Sequence, residues 1–290
     1  MPRTAMSKLA HSENEQSQPE LRVEQIVQAM PLRAAGFIVT LYGDAVVPRG
    51  GEVWMGTIIE ICAAVGISET LVRTAVSRLV TAGQLAGVRH GRHSFYRLSE
   101  SVQAEYADAA ALIYGPPDPV AWRFVYIPEG GAEPRLSQLE RQGYARLRPH
   151  LAVGPARGPV PAGVLAFDGE AVGDTDLLPE FVAQTWDLAT HAQGYVDLLA
   201  QFSPIMRQVP TLSPGDALTL RLLLVHAWRL VLQPDPRLPD AALPPDWPGH
   251  PARALFKTLY LALSPGAELH LSKIFEGVEG HRVRQARGHG

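Results

Sequence analysis

GISETLVRTAVSRLVTAGQLAGVRHGRHSFYRL, residues 66–98, decides the fold of the first third of this chain. Ser68 stands where a helix N-cap belongs, just after the Gly66-Ile67 turn. Leu71, Val72, Ala75, Val76, Leu79 and Val80 follow at helical spacing and predict one buried face. Thr70, Arg73, Thr74, Ser77, Arg78 and Thr81 occupy the other, with side chains suited to phosphate oxygens and base edges. Gly83 ends the helix. Residues 84–89 and 94–98 predict two strands around the tight turn His90-Gly91-Arg92-His93. The stretch holds five Arg, two His and a single acid, Glu69. Positive charge gathered so locally is the footprint of a polyanion partner.

Upstream, residues 57–64 predict a second short helix, and Val65-Gly66-Ile67 supplies the Gly-containing turn of a helix-turn-helix. Glu52-Val53-Trp54-Met55 is a short strand able to pair with the hairpin. Residues 21–42 are helical, divided by Met30-Pro31 into a leader and a helix over 32–42 that Gly43 stops. Helix, strand, helix, helix, strand, strand is the order of a winged helix-turn-helix, closed by a further helix over 101–113. The expected DNA-contacting set is Ser68, Thr70, Arg73, Thr74, Ser77, Arg78, Arg89, Arg92, His93, Tyr96 and Arg97. Within it Arg73, Thr74, Ser77 and Arg78 enter the major groove, while Arg89, Arg92, His93 and Arg97 hold backbone or minor groove.

The rest of the 290-residue chain sets bounds on that expectation. Net charge is −3, so any attraction to nucleic acid is local rather than global. Hydrophobic residues make up 46%, enough for a sizeable core. Cys62 is the single cysteine, which excludes an internal disulfide framework and fits a reducing compartment; in an apolar helix it is expected as a small core residue. The first 20 residues are polar, with no signal-peptide core, and no apolar run is long enough to span a membrane. A cytoplasmic protein with a disordered 1–20 tail is expected.

Tyr114-Gly115-Pro116-Pro117-Asp118-Pro119 marks the first domain boundary. Beyond it lie predicted strands at 122–127, 144–147, 150–153 and 163–167, a helix over 134–143 and a long helix over 178–202. Helices follow over 216–232 and 250–263, with a stiff, proline-rich loop between them. The expected fold is α+β and multidomain: a winged helix-turn-helix domain at 21–114, a ferredoxin-like domain at 120–202, a helical C-terminal domain at 203–280 and a basic tail at 281–290.

Enzyme signatures are missing. No nucleotide-binding glycine loop or nucleophile elbow occurs, and the ten histidines show no zinc spacing. No catalytic residue, cofactor or metal is expected. Asp168 and Glu170 flank Gly169 in an expected hairpin turn, and Asp174 and Asp176 precede a helix as caps.

Several motifs together resemble the PaaX family of repressors of phenylacetic-acid degradation. Leu41-Tyr42-Gly43-Asp44-Ala45-Val46-Val47-Pro48-Arg49-Gly50-Gly51-Glu52-Val53-Trp54-Met55-Gly56 is similar to its opening, residues 66–79 to its recognition helix and residues 89–98 to its wing. Asp235-Pro236-Arg237-Leu238-Pro239 and Leu243-Pro244-Pro245-Asp246-Trp247-Pro248-Gly249 resemble its C-terminal signature. The resemblance covers about residues 30–265. It implies a dimeric, GntR-like repressor on inverted-repeat operators, with a central Cas2-like ferredoxin fold and a helical C-terminal domain, released from DNA by phenylacetyl-coenzyme A.

Such an effector needs cations for its phosphates and an apolar pocket for its acyl group. Trp122, Arg123, Arg146 and Arg148, with Tyr126, are one candidate site. Trp186 with His191 and Trp228 with Arg229 are others. A Cas2-like fold also raises nuclease chemistry, but Ile127 is followed by Pro128 and Glu129 where a metal-holding Asp is needed. The alternatives to a repressor are a winged helix repurposed for protein–protein contact and an enzyme acting on CoA thioesters. The first predicts no salt-sensitive DNA affinity; the second lacks a nucleophile–base set.

Overall fold

The computed structural model describes residues 23–275 apart from 31, 92, 116–120, 130 and 131. Both expected tails and Arg92 lie outside the described residues.

The N-terminal region begins with α1 (Val23–Ala29) and α2 (Ala34–Leu41). Gly43 does not stop α2, contrary to expectation. The chain widens into a π-turn, Tyr42–Val46, then a 3-10 turn, Val47–Arg49, and leaves at Gly50 with φ 94°. The wide turn carries Asp44 into the protein, where three side chains bind it, and this offsets the poorer backbone geometry. Next come β1 (Glu52–Trp54), α3 (Met55–Ala63), α4 (Glu69–Thr81), β2 (Leu85–His90) and β3 (His93–Leu98). The sheet order is β1-β3-β2, antiparallel, with Val53 opposite Tyr96 and Leu85 opposite Leu98. Gly83, at φ 71°, allows its own amide and that of Gln84 to turn back onto the Val80 and Leu79 carbonyls. The helix α5 (Gln103–Tyr114) follows.

The central region holds β4 (Trp122–Tyr126), α6 (Ala132–Arg141), β5 (Ala145–Arg148), β6 (Leu151–Pro155) and β7 (Leu165–Gly169). They form an antiparallel sheet in the order β5-β6-β4-β7. Leu136 and Leu139 of α6 cover one face, against Val125 and Ile127. On the other face Trp122 and Val153 are covered by Val182. Gly169 is not a hairpin turn: Asp168 lies in β7, opposite Arg123, and ion-pairs with it. Asp174 does cap, accepting from the Asp176 amide.

The predicted helix over 178–202 is two helices, α7 (Leu178–Thr185) and α8 (Leu188–Phe202). Trp186 is extended between them, its indole donating to the Gly143 carbonyl, and Asp187 caps α8. That anchored indole breaks the periodic pattern. Then come α9 (Pro214–Leu232) and α10 (Gly249–Ile274). Helix α10 runs past Leu263 and through Pro265, because Ala267 and Leu271 are drawn into the core.

One continuous core joins the described N-terminal region to the C-terminal helices. Phe37, Leu41, Ile58, Val72 and Val76 share it with Leu198, Leu222, Val225, Trp228, Leu259 and Leu271. Cys62 is buried there, and burial pushes its thiol up to about 12, so it is inert. Among the described residues, no helix is long and apolar enough to cross a membrane, and no group of three His, Cys, Asp or Glu is placed to hold a metal.

Candidate nucleic-acid interface

Helix α4 exists because its start and its inner face are both specified locally. The Ser68 side chain accepts from the Leu71 amide, and Val72, Ala75, Val76 and Leu79 are buried. Leu71 and Val80 are not, at 56% and 37% exposure, which corrects the predicted face. Packed against α2, α3 and β2, the helix buries a stripe narrower than six positions, and the flanks of the apolar arc face outward.

The outward face carries Thr70, Arg73, Thr74, Ser77 and Arg78, all exposed, with Ser68 at its N-terminal end. Arg73 pairs with Glu69 at 2.8 Å, both more than half exposed. Such a pair contributes about 0.3–0.5 kcal/mol and yields readily to a phosphate. Thr74 and Thr81 turn their hydroxyls back onto the Thr70 and Ser77 carbonyls. In the hairpin, Arg89 and Arg97 are exposed, Arg89 reaching the Gly91 carbonyl at 3.4 Å. Among the described residues, no carboxylate forms an ion pair with Arg78, Arg89 or Arg97 within 4 Å. His93 and Tyr96 are partly buried: the His93 ring packs edge-on against Trp54, and the Tyr96 carbonyl accepts from Tyr42. These two fix the hairpin on the body at least as much as they face outward.

The structure does not gather Trp122, Arg123, Arg146 and Arg148 into one site. Trp122 and Arg123 alternate to opposite faces of β4. Arg123 is buried, forks onto Asp168 at 2.6 and 2.8 Å and also donates to the Arg157 and Gly158 carbonyls. The Asp168 hydrogen bonds hold its guanidinium above its ordinary value and the Asp168 carboxyl below its own. Trp122 packs among Phe181 and Trp186. Arg146 pairs with Glu133 and Glu140, and Arg148 reaches the Leu147 carbonyl.

A buried cluster that sequence reasoning missed ties the N-terminal region to the C-terminal helices. Asp44 accepts from Arg221 at 3.0 Å, Tyr114 at 3.1 Å and Tyr260 at 3.0 Å, and Arg221 also holds Glu268 at 2.8 Å. Arg221 and Asp44 lie 177 positions apart, and only their presence in otherwise apolar segments could have flagged them.

The fold and its exposed cations define an α+β protein that presents arginines on one helix and one hairpin. The chain belongs to the PaaX-like protein family: the family model matches residues 33–102, and the model of the PaaX-like C-terminal domain matches residues 186–273. It is 30% identical over 276 residues to the transcriptional repressor PaaX of Escherichia coli (strain K12), covering 87% of each chain. The uncharacterized protein Rv0674 from Mycobacterium tuberculosis, a solved structure, aligns with 74% of this chain and 89% of its own, at 22% identity and a TM-score of 0.48.

Proposed function

We propose that this protein is a cytoplasmic, homodimeric transcriptional repressor of phenylacetate catabolism, that it is not an enzyme, and that an aryl-CoA thioester such as phenylacetyl-CoA releases it from its operator. The observation that carries the reading is the exposed Arg73–Arg78 face of α4 in a chain similar to a transcriptional repressor over most of its length. In this reading residues 21–114 are a winged helix-turn-helix, with α3 and α4 as its two helices and β2–β3 as its wing. Exposed Leu71 joins the base-reading set, because an apolar side chain at the start of a recognition helix can meet a thymine methyl. The β5-β6-β4-β7 order supports a ferredoxin-like centre. That sheet leaves Phe124, Tyr126, Leu165 and Phe167 exposed at 39–59%, an apolar patch suited to a second copy of the chain.

A mobility-shift titration on the protein's own promoter tests the reading. Affinity is expected to fall steeply with salt through counterion release. Arg73→Ala and Arg78→Ala should each weaken binding about tenfold. Unchanged affinity in both variants, or salt-insensitive binding, would sink the assignment and favour a protein-contact module.

A further inference from the structure

A cavity of about 340 Å³ lies between the N-terminal region and α9. Four segments line it: the end of α2 with the π-turn after it, Gln84 between α4 and β2, α5, and α9 at 225–233. Val39, Ala110, Ile113 and Val225 give it an apolar wall. The volume falls at the small end of ligand sites, enough for one compact organic molecule.

Arg229 is the group that calls for an occupant. It is half-buried on α9. Its Nη2 donates to the Gly36 carbonyl at 2.9 Å, while its Nε is buried with no hydrogen-bond partner. Among the described residues, no carboxylate forms an ion pair with it within 4 Å. Burial lowers its pKa, with only Tyr106 opposing, as for a cation that lacks a counter-ion. The two fully buried arginines are treated differently: Arg221 holds Asp44 and Glu268, and Arg123 holds Asp168. A poorly solvated charge with an orphaned donor is costly, and a ligand that supplies the missing acceptor removes the cost.

Two uncharged donors share the wall. Tyr106 and Gln84 make no side-chain hydrogen bond to any described residue. Burial pushes the Tyr106 hydroxyl up to about 12 against the pull of Arg229, so it stays protonated and can donate. The Gln84 amide is a further donor. The carboxylates on the wall leave Arg229 unmatched: Asp44 is already held by Arg221, and Glu105 is exposed and forms no ion pair with Arg229.

We propose that this cavity binds a small monocarboxylate with a compact apolar body, its carboxylate on Arg229 and Tyr106 and its body against Val39, Ala110, Ile113 and Val225. A charged acceptor makes a bond roughly twice as strong as a neutral one, and two carboxylate oxygens can serve a guanidinium and a phenol together. One guanidinium matches one negative charge, so a phosphate dianion would be left half-compensated. The site stands apart from the repressor reading, since nothing in it depends on DNA. An occupant would nevertheless reach the DNA-facing elements through Gln84. The Gln84 amide donates to the Leu79 carbonyl, and its own carbonyl accepts from the Ser99 amide. A bound acid therefore fastens the joint between α4 and the hairpin to α9.

The test titrates benzoate, isobutyrate and acetate into the full chain by calorimetry and follows amide hydrogen exchange with benzoate present. Benzoate and isobutyrate should bind, the stronger of the two showing whether the body is aryl or branched alkyl. Acetate should bind about tenfold or more weakly than the stronger, because it leaves the apolar wall uncovered. Exchange should slow over residues 34–43, 79–86 and 103–114 and stay unchanged over 122–169. Arg229→Met removes the cation and leaves no buried charge behind, while Ala110→Leu fills the apolar wall and keeps the cation. Each should weaken binding about tenfold or more, with thermal melts confirming that both variants fold and Arg146→Ala as a control that binds as wild type. The proposal is overturned if neither benzoate nor isobutyrate binds, if acetate matches them, if either folded variant binds as wild type, or if protection appears only outside those segments.

Discussion

Arg73 and Arg78 on α4 and Arg221 on α9 are the same residue type in two different solvents. Arg78 is exposed, and Arg73 has a single exposed carboxylate neighbour four positions away. Arg221 is 1% exposed and holds Asp44, itself fully buried, at 2.9 Å, with Glu268 at 2.8 Å. The first pair keeps its charge available to a partner. The second neutralises its charge inside and fixes how the N-terminal region sits on α9 and α10. A count of arginines cannot separate these roles; their surroundings do.

The largest effect that would break this contrast is at the buried end. Arg221→Met leaves Asp44 uncompensated and should cost about 3–5 kcal/mol in denaturant unfolding. Asp44→Asn combined with Arg221→Met should recover much of that loss. A loss under about 1 kcal/mol in the single variant would mean that Arg221 behaves like a surface residue. The next effect is acid-induced. His226 is buried against Phe37, with Thr40 at 2.9 Å, and burial, helped by nearby Arg229, lowers it from 6.5 to about 4. Between those values the unfolded chain binds a proton that the folded site refuses. Stability is therefore intact above pH 6.5 and falls as pH drops to about 4, by up to about 3 kcal/mol. His226→Gln should flatten that slope in thermal melts taken across the window.

The exposed end predicts small changes in stability and larger ones in binding. Arg73→Ala and Arg78→Ala should leave unfolding within about 0.5 kcal/mol of wild type, while each cation withdrawn from a phosphate should lower the salt slope of DNA binding by about 1. A destabilisation above about 2 kcal/mol would place these arginines with Arg221. The smallest effect is Leu71→Ala, with stability changed by less than about 0.5 kcal/mol. Were Leu71 buried, as its spacing alone predicts, the same change would cost about 2–5 kcal/mol, so one melt decides the face.

Helix α4 and its hairpin are legible in the sequence because everything that specifies them is local. Ser68 caps, Gly83 adopts the left-handed turn and Phe95 is buried. Expectation and structure part where distant partners overrule local pattern. Gly43 passes into a π-turn because Asp44 has buried partners, Trp186 splits a helix by reaching Gly143, and Pro265 sits inside α10 because Ala267 and Leu271 pack beyond it. Trp228 does meet an arginine, but Arg253 is the residue over the ring, while the expected Arg229 donates to the Gly36 carbonyl.

By itself the sequence determined the kind and order of most elements and the gathering of cations on one helix and hairpin. The helical and strand periods, the caps and the glycine turns all act over a few residues. Only the tertiary structure decided which arginines remain outside, that the N-terminal and C-terminal helices share one core, and that four separate segments line a cavity. Those outcomes depend on which surfaces meet across as many as 219 positions, and hydrophobic burial, being non-directional, leaves no local mark of its partner.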